Sequence, residues 1–122
     1  MTASESRILI VEDENIVSKD IQARLRGMGY TICGAVATGE DSVVKAAELQ
    51  PDLILMDIML RGALSGTDAA DRIQQQADVP IVYLTAYSDT ETLERAKVTQ
   101  PYGYVLKPFD DRDLHTAIEM AL

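Results

Sequence analysis

Five short aliphatic runs alternate along the chain with segments in which apolar residues recur at helical spacing. The runs lie at residues 7–11, 30–37, 52–57, 79–84 and 102–106. Strands that read as continuous apolar runs are typical of a parallel sheet that is buried on both faces, with the intervening helices as its cover. The alternation therefore predicts an α/β domain with a doubly wound five-stranded parallel sheet.

Capping and turn residues predict where the five helices lie. We expect them at about residues 14–27, 38–50, 66–77, 88–100 and 110–122. The fourth is weakly amphipathic, with Leu93 and Ala96 as its clear apolar pair, so we expect it to be the least firmly packed. The last should turn Leu114, Ile118 and Leu122 toward the core.

The order of the strands decides which polar residues meet. Five such units are compatible with several orders, but the common order 2-1-3-4-5 reverses direction between strands 1 and 3, and ligands bind beyond the carboxyl ends there. Glu12 and Asp13 follow the first strand, and Asp57 closes the third. The sequence thus predicts a rim of three carboxylates, although Asp57 alone could merely cap a turn.

The composition fits one compact domain, which we assign to residues 1–122 with a core from about 7 to 122. Its 47% hydrophobic content is ordinary for a globular protein. Since no apolar run approaches the ~20 residues that span a bilayer, and no signal-peptide core is present, we expect a cytoplasmic protein without membrane contact. Cys33 is the single cysteine, so no internal disulfide can form.

The charge balance argues against direct contact with nucleic acid. Twenty acidic residues against eleven basic ones give a net charge of -9. Phosphate backbones are bound by clusters of Lys and Arg, which this chain lacks in its sequence.

Three neighbouring carboxylates repel one another unless a cation lies between them. Mg²⁺ prefers octahedral oxygen coordination and is commonly held by one or two carboxylates together with water and phosphate oxygens. We expect Mg²⁺ (or Mn²⁺) to be bound directly by Asp13 and Asp57 and through a water by Glu12. The backbone carbonyl of Met59, just beyond Asp57, is the candidate for one further ligand.

Two more polar residues end strands that point toward the same rim. Thr85 ends the fourth strand and Lys107 follows the fifth. A cation and a hydroxyl facing a metal-bound carboxylate make an anion pocket of phosphoryl size. One interpretation is that Asp57 attacks phosphorus and becomes an aspartyl phosphate. The alternative is a structural ion pair between Lys107 and Asp57.

Four motifs in this order resemble the receiver domain of two-component response regulators. They read ILIVED at 8–13, PDLILMD at 51–57, LTA at 84–86 and YVLKPF at 104–109. The resemblance covers roughly residues 7–122 and implies the flavodoxin-like (βα)5 receiver fold. The chain departs from the family pattern in the loop at 59–66. This loop lacks the proline that is common after the phosphorylated acid, and it is about one residue longer than the usual loop.

The resemblance implies the chemistry and the partners. Asp57 would take a phosphoryl group from the phosphohistidine of a sensor histidine kinase or a histidine phosphotransfer protein, with Mg²⁺ at Glu12, Asp13 and Asp57. Lys107 would contact the phosphate and carry a cis bond to Pro108. Such a domain catalyses only its own phosphorylation and dephosphorylation, so we do not expect a turnover enzyme.

The resemblance also implies a switch. Thr85 would move toward the phosphate and Tyr104 would turn inward, changing the face formed by helix 4, strand 5 and helix 5 for partner binding or homodimer formation. The output would be an effector domain in a longer protein or a separate partner protein.

Three other functions are compatible with such a sheet. A phosphatase with an aspartate nucleophile should carry a second acid two residues after the first, where this chain has Met59. A flavin carrier should have a phosphate loop after the first strand, where Glu12 and Asp13 would repel the phosphate. A receiver-like docking module that is never phosphorylated is excluded only by an assay.

Overall fold

The computed structural model describes residues 6–58, 60, 62–85 and 103–122. Within these residues the chain forms five strands and four helices. The strands are β1 (Arg7–Val11), β2 (Thr31–Val36), β3 (Leu53–Asp57), β4 (Ile81–Thr85) and β5 (Gly103–Leu106). The helices are α1 (Asn15–Gly27), α2 (Gly39–Leu49), α3 (Gly66–Gln76) and the last helix (Asp111–Ala121).

All five strands are parallel, in the order β2-β1-β3-β4-β5, which confirms the predicted doubly wound sheet. The register aligns the strand ends, because Val11 pairs with Met56, Asp57 with Leu84, and Thr85 with Leu106. The residues that end or follow β1, β3, β4 and β5 therefore lie along one edge of the sheet.

Successive side chains of β1 point to opposite faces of the sheet and belong to two separate apolar clusters. Ile8 and Ile10 pack on one face of the sheet, together with residues of α1 and of the last helix. Leu9 and Val11 pack on the other face with α2 and α3. All four side chains are fully buried. Both faces of the sheet are thus covered, which explains why β1 contains no polar residue between its ends.

The described helices are short, and three of them, α2, α3 and the last helix, begin at a capping side chain. Thr38 accepts a hydrogen bond from the Asp41 N–H at 3.1 Å, and Asp110 accepts one from the Asp113 N–H at 2.8 Å. Each such cap stabilises a helix by about 1 kcal/mol. Among the described residues, none of the helices combines the length and the apolar composition that crossing a bilayer requires.

Some predicted boundaries are wrong by one or two residues. β4 begins at Ile81 rather than at residue 79, and β2 spans Thr31–Val36 rather than 30–37. Leu122 is 46% exposed rather than inward, because the last helix ends at Ala121 and Leu122 lies beyond its final turn. The predicted fourth helix, with Leu93, lies outside the described residues.

Candidate metal and phosphoryl site

The strand ends deliver four polar side chains to one rim of the sheet. Glu12 directly follows β1 and is 2% exposed, and Asp57 ends β3 at 6% exposure. Thr85 ends β4 and is fully buried. Lys107 follows β5 and reaches back over the rim. Sequence position alone predicted all four placements.

The carboxylates of Glu12, Asp13 and Asp57 converge as predicted. Each offers an oxygen that lies within 4.8 Å of the oxygens of the other two. Burial, followed by the neighbouring Asp57 carboxylate, raises the pKa of Glu12 to about 7. The Glu14 backbone N–H partly opposes this by donating to Glu12 Oε2 at 3.2 Å. The buried position and the neighbouring carboxylate therefore disfavour the charged form of Glu12.

Lys107 supplies a positive charge at this point. Its Nζ lies 3.1 Å from Asp57 Oδ2 and 3.4 Å from Glu12 Oε1. Burial opposes the ammonium form, but the carboxylates of Asp57 and Glu12 outweigh burial and raise the pKa of Lys107. The Lys107 backbone N–H also donates to the Thr85 carbonyl at 2.7 Å. The peptide bond between Lys107 and Pro108 is cis, as the resemblance implied.

The three acids fit a magnesium ion. Mg²⁺ binds oxygens at about 2.1 Å in an octahedron, so two ligands on opposite sides of the ion lie about 4.2 Å apart. Adjacent ligands lie about 3.0 Å apart. The carboxylate oxygens, which lie within 4.8 Å of one another, would therefore have to draw closer through their side chains when an ion binds. The donors are all hard oxygens, which Mg²⁺ and Mn²⁺ prefer. The donor set thus suits the predicted metal without rearrangement of the sheet.

Backbone hydrogen bonds hold both ends of the segment that follows Asp57. The Ile58 N–H donates to the Leu84 carbonyl and the Gly66 N–H to the Ile58 carbonyl, both at 3.1 Å. Nearer α3, the Leu64 N–H donates to Glu40 Oε1 at 2.9 Å. Met59, the predicted carbonyl ligand within this segment, lies outside the described residues.

Sequence reasoning did not single out Glu40 as a site residue. The contact joins positions that are 24 residues apart. Nothing in the local pattern of either segment signals it, since Glu40 reads as an ordinary acid in the first turn of a helix.

Tyr104, the predicted switch residue, lies on β5 with 47% of its surface exposed. Its side chain is therefore exposed on the edge strand β5, whereas Thr85 on the adjacent strand is buried. The coupling between the two stays a prediction.

Comparisons with known proteins agree with this geometry. The family model of the response regulator receiver domain matches residues 8–119. The chain is similar to the transcriptional regulatory protein PdtaR of Mycobacterium tuberculosis, with 40% identity over 95% of this chain and 56% of PdtaR. The chain spans about half the length of the curated relatives it matches.

Two solved structures are similar over nearly their whole length. One is the signal receiver domain of a modulated diguanylate cyclase from Desulfovibrio desulfuricans G20, with 40% identity, a TM-score of 0.89 and coverage of 95% of this chain and 92% of that one. The other is the receiver domain of the sensor histidine kinase PA1611 from Pseudomonas aeruginosa PAO1, with 33% identity, a TM-score of 0.85 and coverage of 95% and 96%. That structure has a magnesium ion coordinated in its active site cleft.

Proposed function

Since the chain belongs to the family of response regulator receiver domains, we propose that Asp57 accepts a phosphoryl group from a phosphohistidine in a Mg²⁺-dependent reaction. The donor would be a sensor histidine kinase or a histidine phosphotransfer protein in the cytoplasm. The assignment of residues 1–122 to a single domain of this kind is part of the proposal.

One observation carries the proposal: Lys107 Nζ lies 3.1 Å from Asp57 Oδ2, on a rim where three carboxylates offer oxygens within 4.8 Å of one another. A structural ion pair would need one acid and one base. Two further acids beside the pair add electrostatic repulsion. Such a cost is expected at a functional site, where the acids would bind a metal ion that accompanies the transferred phosphoryl group.

The chain's own residues have distinct parts in the transfer. A carboxylate oxygen of Asp57 attacks phosphorus, so that an oxygen–phosphorus bond forms while the nitrogen–phosphorus bond of the donor breaks. The electron pair of the broken bond remains on the imidazole nitrogen, which then takes up a proton. Lys107 Nζ, already beside Asp57, neutralises charge on the phosphoryl oxygens, and the Thr85 hydroxyl donates to one of them.

Asp13 and Asp57 would hold Mg²⁺ directly and Glu12 through a water, with the Met59 carbonyl as a further ligand. When bound, the ion neutralises the charge of the transferring group and of the surrounding carboxylates. Lys107, which contacts both Glu12 and Asp57, would then share with the ion the task of balancing these carboxylates.

We further propose that phosphorylation switches the edge formed by β5 and the last helix. Thr85 and Lys107 are joined through their backbones, so a shift of the Thr85 hydroxyl toward a phosphate is passed to β5, which carries Tyr104. Receiver domains interact with histidine kinases and effectors, and this edge would bind the effector domain, a partner protein or a second copy of the chain. We expect neither direct binding to nucleic acid nor turnover of an external substrate.

The test is to detect covalent phosphorylation by intact mass. Incubation with a small phosphodonor and Mg²⁺ should add about 80 Da to the intact protein, the mass of one phosphoryl group on an aspartate. Asp57→Asn should abolish the adduct, whereas Asp68→Asn, at an exposed acid of α3, should leave it unchanged. Removal of Mg²⁺ by a chelator should also abolish it.

The rival functions predict other results. A docking module that is never phosphorylated would show no adduct with any phosphodonor or kinase. A phosphatase would release phosphate from an external ester over many turnovers without accumulating the adduct. Either result would end the proposal.

A further inference from the structure

We infer that Glu40, outside the acidic rim, is a positioning residue for the metal site: its carboxylate fixes the loop that leaves Asp57. The inference rests on the proposed Mg²⁺ site. It deepens that proposal by naming a residue on a different helix that controls how well the site is formed.

The contact is direct and well defined. Glu40 Oε1 accepts a hydrogen bond from the Leu64 N–H at 2.9 Å. The same carboxylate lies against Gly62, whose φ of +103° is in the left-handed region. A side chain at Gly62 would approach Glu40 Oε2 to 3.3 Å. The carboxylate and the turn at Gly62 therefore fit each other closely.

The start of the helix that carries Glu40 is capped and closely packed. It lies in the first turn of α2, where the Thr38 side chain caps the helix by accepting from the Asp41 N–H. The preceding residue, Gly39, packs so closely that a Cβ there would lie 2.8 Å from Leu64 Cβ and 2.9 Å from the Leu64 carbonyl oxygen. The start of α2 is thus in close contact with the loop at Leu64.

The loop that Glu40 contacts is the one that follows Asp57. Its first residue, Ile58, is bonded to β4 through its N–H and to Gly66 through its carbonyl. Between these ends, the Glu40 bond at Leu64 is a side-chain anchor from another element. Without it, Leu64 and the nearby Gly66 are less restricted, and so is the Asp57–Ile58 backbone against which Gly66 packs. The Asp57 carboxylate is then less preorganised for an ion.

Supporting hydrogen bonds that orient metal ligands commonly change metal affinity by tenfold or more. Glu40 is exposed, and a single solvent-exposed hydrogen bond contributes less. We therefore expect Glu40→Ala to weaken Mg²⁺ binding by about threefold to tenfold, the range for the loss of one net hydrogen bond.

Three variants of the full chain separate positioning from charge. Glu40→Ala removes both the charge and the acceptor, whereas Glu40→Gln removes the charge but keeps an oxygen that can accept from Leu64. Glu48→Ala removes the same charge from the last turn of α2, where Glu48 pairs with Lys45 at 3.6 Å. Mg²⁺ dissociation constants come from calorimetric titration, and amide exchange of Leu64 comes from NMR. Urea unfolding shows whether each variant is folded.

The inference predicts that Glu40→Ala weakens Mg²⁺ binding and speeds exchange of the Leu64 amide, while Glu40→Gln and Glu48→Ala stay near the wild-type values. Equal weakening in the Ala and Gln variants would mean that only charge matters and would overturn it. Unchanged affinity in Glu40→Ala would overturn it as well.

Failure of the proposed function has a different signature. A wild-type protein that binds Mg²⁺ but never gains the phosphoryl adduct would refute phosphorylation, while the relative affinities of the variants would still decide the role of Glu40. A wild-type protein that binds no Mg²⁺ would refute both.

Discussion

Gly66 offers a sharp test of how the site is built, because Gly66→Ala should damage the Asp57 end of β3 through sterics alone. A Cβ at this position would overlap the carbonyl oxygen of Asp57 and lie 2.8 Å from Ile58 Cα and 2.9 Å from the Ile58 carbonyl oxygen. Ordinary contacts begin near 3.4 Å. The backbone of Asp57 and Ile58, which is not a flexible side-chain end, would have to move by at least about 0.5 Å.

Overpacking of this kind costs about 1–3 kcal/mol. With a denaturant dependence of about 1–3 kcal/mol per molar urea, the unfolding midpoint should fall by roughly 0.5–2 M. The same displacement moves the Asp57 carboxylate, so we also expect Mg²⁺ binding to weaken. Equilibrium urea unfolding and a Mg²⁺ titration on the same samples measure both effects.

Gly27→Ala is the matched control. Gly27 is the final residue of α1, and an added Cβ there meets nothing within 4 Å. Removing a helical glycine stabilises by up to about 0.5–1 kcal/mol. If Gly66→Ala unfolds at the same urea concentration as the wild type and binds Mg²⁺ equally well, the close packing of Gly66 on Asp57 does not position the site.

Two further predictions concern buried polar groups. Because the pKa of Glu12 is about 7 in the folded metal-free protein against an ordinary 4.5, the folded state holds an extra proton between these values. Its contribution to stability is therefore present below pH 4.5 and lost as the pH rises to about 7, by up to about 3 kcal/mol. Urea midpoints across this range should show a slope that Glu12→Gln removes; an equal slope in the variant would contradict the assignment. Separately, Tyr30→Phe should cost about 0.5–1.5 kcal/mol, because the Tyr30 hydroxyl donates to Glu119 Oε2 at 2.6 Å. A double-mutant cycle with Glu119→Ala measures the coupling energy, and a value of zero would show that the bond contributes nothing.

Much of the fold and of the rim could be predicted because both follow from periodicity and topology. Apolar runs without alternation fixed the sheet as parallel, and parallel strands place their carboxyl ends at one edge. Asp57 and Glu12 were therefore assigned to one place although they are 45 positions apart in sequence.

Other features depend on distances that no local pattern encodes. The raised pKa of Glu12 arises from burial and from Asp57, a partner on another strand. The Glu40 contact depends on the path of a loop, and a loop has no regular spacing of apolar residues from which its path could be predicted. Leu122 was placed inward because its spacing from Ile118 fits a helix, but spacing does not tell where the last turn ends.

The position of Lys107 near the end of the chain determines when the rim is completed during synthesis. Its ammonium group meets Glu12 across 95 positions of the chain, and it comes from β5 at the far edge of the sheet. A polypeptide still emerging from the ribosome already carries every acid of the rim but not the base that completes it. The contact of Lys107 with the acids therefore forms only after nearly the whole domain has been made and folded.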